Sequence, residues 1–274
     1  MSELNREPPN HRNQRIRLRM STLSLQLYSI RDHLSADRAA TLKRVAEIGY
    51  RTVEPFGLGS FDKPAEVRAE EARGLKADLD AAGLSVSSVH AGVAAGDLSG
   101  LVEECRILGT DTVFIPVPGL LQGFEGDVFG DAEKLSAFAA RVNAAAAELA
   151  DSGIRLGYHN HAFEWPGYES FWTQADDRVL AELDVYWATV AGQDPAALLA
   201  ALGERCVAVH LKDGPAKQGE PQTPIGTGDV DVPAAIAAAP WLDWHIAEID
   251  TTEQDELELL AANRAKLLEL GTKA

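Results

Sequence analysis

Cysteine is scarce in this chain: two among 274 residues, Cys105 and Cys206, with no C-x-x-C spacing. That excludes a disulfide framework and a thiolate metal cluster, and both thiols read as small buried hydrophobes. Long apolar runs are lacking too. Runs such as "FAARVNAAAAELA" at 138–150 are broken by charge and too short to span a bilayer, so no membrane helix is expected. Positive charge is in short supply: 25 Lys and Arg against 42 Asp and Glu leave a net charge of −17, and basic residues do not cluster after residue 20. Such a field repels phosphate backbones, which argues against a nucleic-acid partner and favours a small neutral or carbonyl-bearing substrate. A dinucleotide fingerprint is also missing, and "GTGDVD" at 226–231 reads as a flexible active-site loop. The opening "MSELNREPPNHRNQRIRLRM" is polar and basic without the apolar segment of a secretory signal. Residues 1–20 read as an unstructured extension, residues 21–274 as one domain, and the protein as cytoplasmic.

What is present from residue 23 onward is a regular alternation of short β-like runs and longer helical patterns. Strands are expected at 23–29, 51–56, 84–91, 111–118, 154–161, 179–186, 206–213 and 244–250. Between them, "DRAATLKRVAEIG" (37–49) repeats apolar residues at three- and four-residue spacing and stops at Gly49. "PAEVRAEEARGLKADLDAAG" (64–83) has proline in its first turn and ends at Gly83. Eight strand–helix units of about 30 residues predict an α/β fold, a closed parallel (β/α)8 TIM barrel.

Side chains alternate along a strand, so the large apolar residues identify the face packed on helices and the others point into the barrel. Val207, Val209 and Leu211 leave Ala208, His210 and Lys212 inside; Ile154, Leu156 and Tyr158 leave Arg155, Gly157, His159 and His161 inside. The same parity turns Gln26, Tyr28, Glu54, Glu182, Asp184, Glu248 and Asp250 inward and permits His90 there. Unpaired, each buried polar group would cost roughly 1–3 kcal/mol, so a metal or a polar ligand is expected among them. Other readings attach to single residues. Glu54 and Glu182 are candidates to pair with Arg155 inside the barrel, Lys212 and Asp213 with neighbours at its rim, and the aspartate of "GQDP" (192–195) to cap the next helix.

Taken together, His159, Asp184, His210 and Glu248 fall at matching positions on four successive strands. This nitrogen and oxygen set suits a divalent metal ion, Mn2+ first, with Co2+, Fe2+ and Zn2+ as alternatives and Mg2+ less favoured by imidazoles.

With "QLYSIRD" (26–32), "YHNHAFEW" (158–165), "ELDVYWATVAGQDP" (182–195), "HLKDG" (210–214), "IGTGDVD" (225–231) and "AEID" (247–250), the chain resembles the sugar phosphate isomerase/epimerase superfamily. These are the xylose isomerase-like barrels, which also include endonuclease IV. The resemblance covers about residues 22–270. In epimerases of this family the metal ligands are a glutamate, an aspartate, a histidine and a glutamate on strands five to eight. The last three carry over as Asp184, His210 and Glu248, and His159 stands where the first glutamate belongs. The alternative is that Glu164 reaches back to complete the metal site.

The resemblance implies an isomerase or epimerase of a sugar or polyol-derived carbonyl compound, working by proton abstraction next to a metal-polarised carbonyl. Glu248, His161 and Lys212 are the candidates for proton transfer, with Glu164 in reserve; Gln26, Arg31, Glu54, His90 and Trp187 are expected to line the pocket. The nearest rival is a lyase of the same superfamily, a dehydratase or an enzyme eliminating from 3-keto glycosides. More distant are an endonuclease IV-like repair enzyme and a barrel that binds sugar without turnover. The sequence leaves open whether the chain forms a homo-oligomer.

Overall fold

The computed structural model describes residues 21–165 and 167–274; the extension read over 1–20 lies outside them. Nine parallel strands form a single sheet: β1 (Thr22–Gln26), β2 (Thr52–Glu54), β3 (Ser85–Val86), β4 (Val89–His90), β5 (Thr112–Ile115), β6 (Arg155–His159), β7 (Leu180–Asp184), β8 (Cys206–Leu211) and β9 (Trp244–Ala247). β1 pairs with both β2 and β9, and the order then runs back through β8, β7, β6 and β5 to β4. The third expected strand is split in two. Its halves, β3 and β4, flank Ser87 and Ser88, whose hydroxyls point inward to Ser24 and Glu54 rather than following a regular ladder. Backbone bonds from Ser87 N to Val53 O and from His90 N to Pro55 O carry the sheet across the break and close the barrel.

The helices start and stop where side chains satisfy their ends. Asp37, Asp131, Asp194, Asp231 and Asp255 each accept from backbone N–H groups of the turn that follows, and the "GQDP" aspartate is one of these caps. Gly49 closes the helix Arg38–Ile48 at φ 111°, a left-handed conformation that a β-carbon would oppose. Among the described residues no helix is long and apolar enough to cross a membrane.

Two apolar layers result from strand alternation. The larger lies between sheet and helices and includes Leu23, Leu25, Val53, Val113, Leu156, Tyr158, Leu183 and Val209; the smaller fills the barrel and consists of Phe114, Ala208 and Ile246. Gly157 belongs to this inner plug: a β-carbon there would lie 2.5 Å from the Phe114 ring and 2.7 Å from Leu180 O. The plug seals the barrel beneath the polar side chains, so these side chains open only toward the C-terminal ends of the strands.

His245, on the helix side of β9, is 3% exposed; its Nδ1 lies 2.7 Å from Thr272 Oγ1 and its Nε2 has no partner among the described residues. Burial lowers its pKa from the ordinary 6.5 to about 4. The unfolded chain therefore takes up this proton first as pH falls. The stability at stake is intact above pH 6.5 and is withdrawn between 6.5 and 4, with a loss of about 2 kcal/mol at pH 5. Unfolding free energies from urea titrations at pH 7.5 and pH 5 should differ less for His245→Asn than for the parent, by about 2 kcal/mol; an equal acid sensitivity would assign the effect elsewhere.

Candidate active site

Nine ionisable side chains from six strands and the segments that follow them meet above the plug. They divide into two connected networks. In the first, three imidazoles point at one carboxylate oxygen: Glu182 Oε2 lies 2.6 Å from His90 Nε2, 3.0 Å from His159 Nδ1 and 3.2 Å from His210 Nε2. Glu54 Oε2 joins them at 2.8 Å from His210 Nε2 and 3.3 Å from His90 Nε2. Gln26 Nε2 and the Ser88 hydroxyl donate to the Glu54 carboxylate and hold it in place. The His90 and His210 rings are parallel with centroids 5.2 Å apart.

The second network is built around a lysine. Lys212, 1% exposed, places Nζ 2.8 Å from Asp184 Oδ2 and 2.7 Å from Asp250 Oδ2, and also contacts Glu248 Oε2. His210 links the two networks, because its Nδ1 lies 2.6 Å from Glu248 Oε2 while its Nε2 faces the first network. Local backbone fixes the geometry. Asp184 ends β7 and caps the following turn through Trp187 N, while Asn160 fixes the adjoining backbone by accepting from Asp184 N and donating to Asp184 O.

Burial and charge set the protonation states together. Burial would raise the Glu182 and Glu248 carboxyls, but for Glu182 the His210 and His90 charges, and for Glu248 Lys212 and His210, hold them well below the usual range. Burial and the neighbouring Glu182 charge push Glu54 up. Asp184 rises to about 6, because burial outweighs the pull of Lys212. Burial opposes the Lys212 ammonium, yet Asp184, Asp250 and Glu248 hold it charged. His161 falls to about 4 through burial and the Lys212 charge, so it is neutral at neutral pH.

Above both networks lies a cavity of about 420 Å3. Glu248, Asp250, His90, His159, His161 and Trp187 supply its polar lining, and Tyr28, Phe56, Pro116, Val117 and Leu120 form an apolar wall. His161 Nδ1 and Trp187 Nε1 are buried without a partner among the described residues, an arrangement suited to meeting hydroxyls of a polar ligand. Two overlapping donor sets could hold an ion: His159, Asp184, His210 and Glu248, or His90, His159, Glu182 and His210, with the donor atoms of each within 4.8 Å of one another. Mixed imidazole and carboxylate donors fit a divalent metal, and Glu182 Oε1, buried with no partner among the described residues, leaves a coordinating atom free.

Residues 42–266 match the family described as xylose isomerase-like TIM barrel. The chain belongs to this family. No curated protein sequence matches it. Among solved structures, it is similar to a sugar phosphate isomerase/epimerase from Parabacteroides distasonis ATCC 8503, with a TM-score of 0.70 and 24% identity over 90% of this chain and 93% of that one. Its fold is also that of a protein from Bacillus anthracis described as "probable 3-DHS dehydratase AsbF" (TM-score 0.68, 14% identity, 90% of this chain and 98% of that one). An L-ribulose 3-epimerase shares it as well (TM-score 0.63, 16% identity, 92% of this chain and 94% of that one). At these identities the likeness is one of fold.

Within this xylose isomerase-like barrel, several residues stand elsewhere than the sequence suggests. Arg155 is not an interior partner of Glu54 or Glu182: it opens β6 at the far end of the barrel and pairs with Asp111 at 3.0 Å. Gln26 and Glu54 lie beneath the cavity, bonded to each other, and do not line it. Arg31 stacks on Tyr28 from outside at 4.4 Å and donates to Asp250 O, so it braces the wall. Glu164 does not reach back to the donor sets: its oxygens accept from Tyr158 OH, on the helix side, and from His161 N, an arrangement that fixes the turn after β6. Lys212 is buried in the interior rather than at the rim. Asp213 accepts from Gly214 N, Gly226 N, Gly228 N and Val230 N, so the "GTGDVD" segment is tied down rather than a loose loop. The donor missed as a site residue is Glu182, although alternation had already turned it inward. Phe56 and the 116–120 wall carried no polar signal.

Proposed function

We propose that this protein is a metal-dependent isomerase or epimerase of a sugar or polyol-derived carbonyl compound. One observation carries the reading: imidazoles, carboxylates and a buried lysine converge on the floor of a cavity of about 420 Å3 with an apolar wall. Donors for the ion come from the cluster around His159 and His210, which both sets share; the Asp184 and Glu248 set is the one that the family resemblance implies. When bound, a divalent ion supplies polarisation of a carbonyl oxygen.

The chain's own residues perform the remaining work. Trp187 covers an apolar face of the substrate, and its free Nε1–H binds a hydroxyl. Glu248, kept ionised by Lys212 and His210, takes the proton from the carbon next to the carbonyl. The Lys212 ammonium lies beside that carboxylate and offsets the negative charge that develops on the substrate oxygens. His161, neutral at rest, accepts a substrate hydroxyl proton and then holds it for return. Return of a proton to the neighbouring carbon gives the isomer, and to the first carbon from its opposite face the epimer. Expulsion of a β-hydroxyl from the same enolate would make the enzyme a dehydratase, the activity named for the Bacillus anthracis neighbour.

Incubation with a panel of ketoses, aldoses and keto-polyols in D2O should place deuterium at carbon next to the carbonyl. The products then identify the outcome, an isomer for the proposed activity and an unsaturated compound for the dehydratase. Turnover without deuterium at carbon, or no turnover across the panel with the metal-loaded protein, would count against the reading.

A further inference from the structure

We propose that the substrate is a sugar derivative carrying an aryl-sized apolar substituent, seated against Tyr28, Phe56, Val117 and Leu120. This rests on the reading of the cavity as a site for a sugar or polyol-derived carbonyl compound and adds what that compound carries.

The cavity has two unlike sides. His161, Trp187, Glu248 and Asp250 stand just beyond β6, β7 and β9. Tyr28, Phe56, Val117 and Leu120 follow β1, β2 and β5 instead. A sugar ring that meets the polar groups and Trp187 leaves this second side uncovered. Hydroxyls turned against Phe56, Val117 and Leu120 would lose water and find no polar side chain there, whereas an apolar group gains by covering them.

Tyr28, Phe56 and Phe163 are three of the four large hydrophobic side chains left exposed among the described residues. Phe56 packs edge-on against Tyr28 with ring centroids 5.2 Å apart, and Phe163 stacks on His161 at 5.4 Å, so all three stand at this one mouth. Exposed aromatics scattered singly are ordinary; three gathered around a cavity indicate a binding surface. The wall is also tied in place. Gly92 N donates to Leu58 O and Val93 N to Leu120 O, which joins the segments after β2, β4 and β5, and Gly59 N donates to the buried Glu104 carboxylate. A β-carbon on Gly59 would collide with Gly92 O, so this close approach requires glycine. A surface already in position costs little ordering when a ligand covers it.

A phosphate group fits this side poorly. No lysine or arginine is among the described residues that line the cavity. Arg31 faces Tyr28 from outside and donates to Tyr28 O and Asp250 O, and the Lys212 ammonium is shared by three carboxylates.

The test uses the whole chain loaded with Mn2+ and reads binding by calorimetry. The probes are methyl and phenyl β-D-glucopyranosides, β-D-galactopyranosides and β-D-xylopyranosides, which have no free carbonyl, so no turnover is required. In at least one pair the phenyl compound should bind about tenfold or more tightly than the methyl one, as expected for burying an aromatic ring. Phe56→Ala should reduce that ratio to about threefold or less, with the loss in the phenyl compound's affinity; general damage to the site would weaken both. Should Phe56→Ala not fold, Leu120→Ser, in a different segment, decides by the same ratio. A ratio below about tenfold in every pair, no binding of any phenyl glycoside at millimolar concentration, or a ratio unchanged in Phe56→Ala overturns the proposal. Glucose 6-phosphate binding about tenfold more tightly than glucose would put an anionic group there and overturn it too. No phenyl advantage, in a dimer that Phe56→Ala makes monomeric, would assign the patch to a second copy of this chain. A phenyl advantage with no deuterium exchange would defeat the proposed reaction and leave the apolar subsite standing; exchange into unsubstituted sugars with no phenyl advantage would do the reverse.

Discussion

Lys212→Met is expected to cost roughly 3–5 kcal/mol of stability near pH 8, because removing one partner of a buried ionic group leaves uncompensated charge. Lys212 is 1% exposed and serves three carboxylates at once, so methionine fills the volume and removes the ammonium that, among the described residues, all three share. The pH dependence follows from Asp184, whose carboxyl already titrates at about 6 in the folded protein, above the ordinary 3.8. A folded pKa raised by burial means that protonation favours the fold, and without the ammonium the rise is larger. The penalty should therefore be greatest above pH 7 and shrink as pH falls toward 5. Urea midpoints of parent and variant at pH 8 and pH 5.5 check this. Equal losses at both values, or a loss below about 1 kcal/mol, would mean that water reaches these carboxylates and screens them.

Glu248→Gln should lower turnover by about a thousandfold, within the range expected for removing a positioned acid–base group. The amide keeps the carboxylate's shape and can still accept from His210 Nδ1, so the fold should survive. What is lost is the ability to take a proton from carbon. Deuterium exchange into substrate should fall in parallel with kcat, with KM changed only a few-fold. A drop of less than about tenfold would move the base elsewhere, with His161, which also lines the cavity, the next candidate.

Alternation along each strand was sufficient to turn His159, Glu182, Asp184, His210, Lys212 and Glu248 into the barrel before any contact was known. That inference is local: neighbouring side chains on an extended backbone face opposite ways, and large aliphatic residues must meet the helices. The Asp194 cap and the Gly49 stop were legible for the same reason, since each satisfies backbone groups within one turn. The β/α period, also written in the order of residues, determined the parallel barrel and thus the end at which the polar groups gather.

Only the tertiary structure decided which inward groups meet. Height along the barrel depends on register between strands, and register is a property of pairs. A shift between Ala181 and Glu182 sets Glu182 opposite Ala208 and Asp184 opposite His210, and so separates the carboxylate that faces three imidazoles from the one that faces Lys212. Arg155 shares the inward parity of His159 yet lies four residues earlier, at the far end of the barrel beyond the Phe114 plug. Glu164 and Arg31 lie beyond strand ends, where the chain's path rather than a period aims the side chain, and both were turned away from the cavity. Sequence thus determined which residues enter the barrel, because that depends on one strand at a time. Their division into an imidazole network and a lysine network depended on six strands brought to a common level, which only the closed sheet specifies.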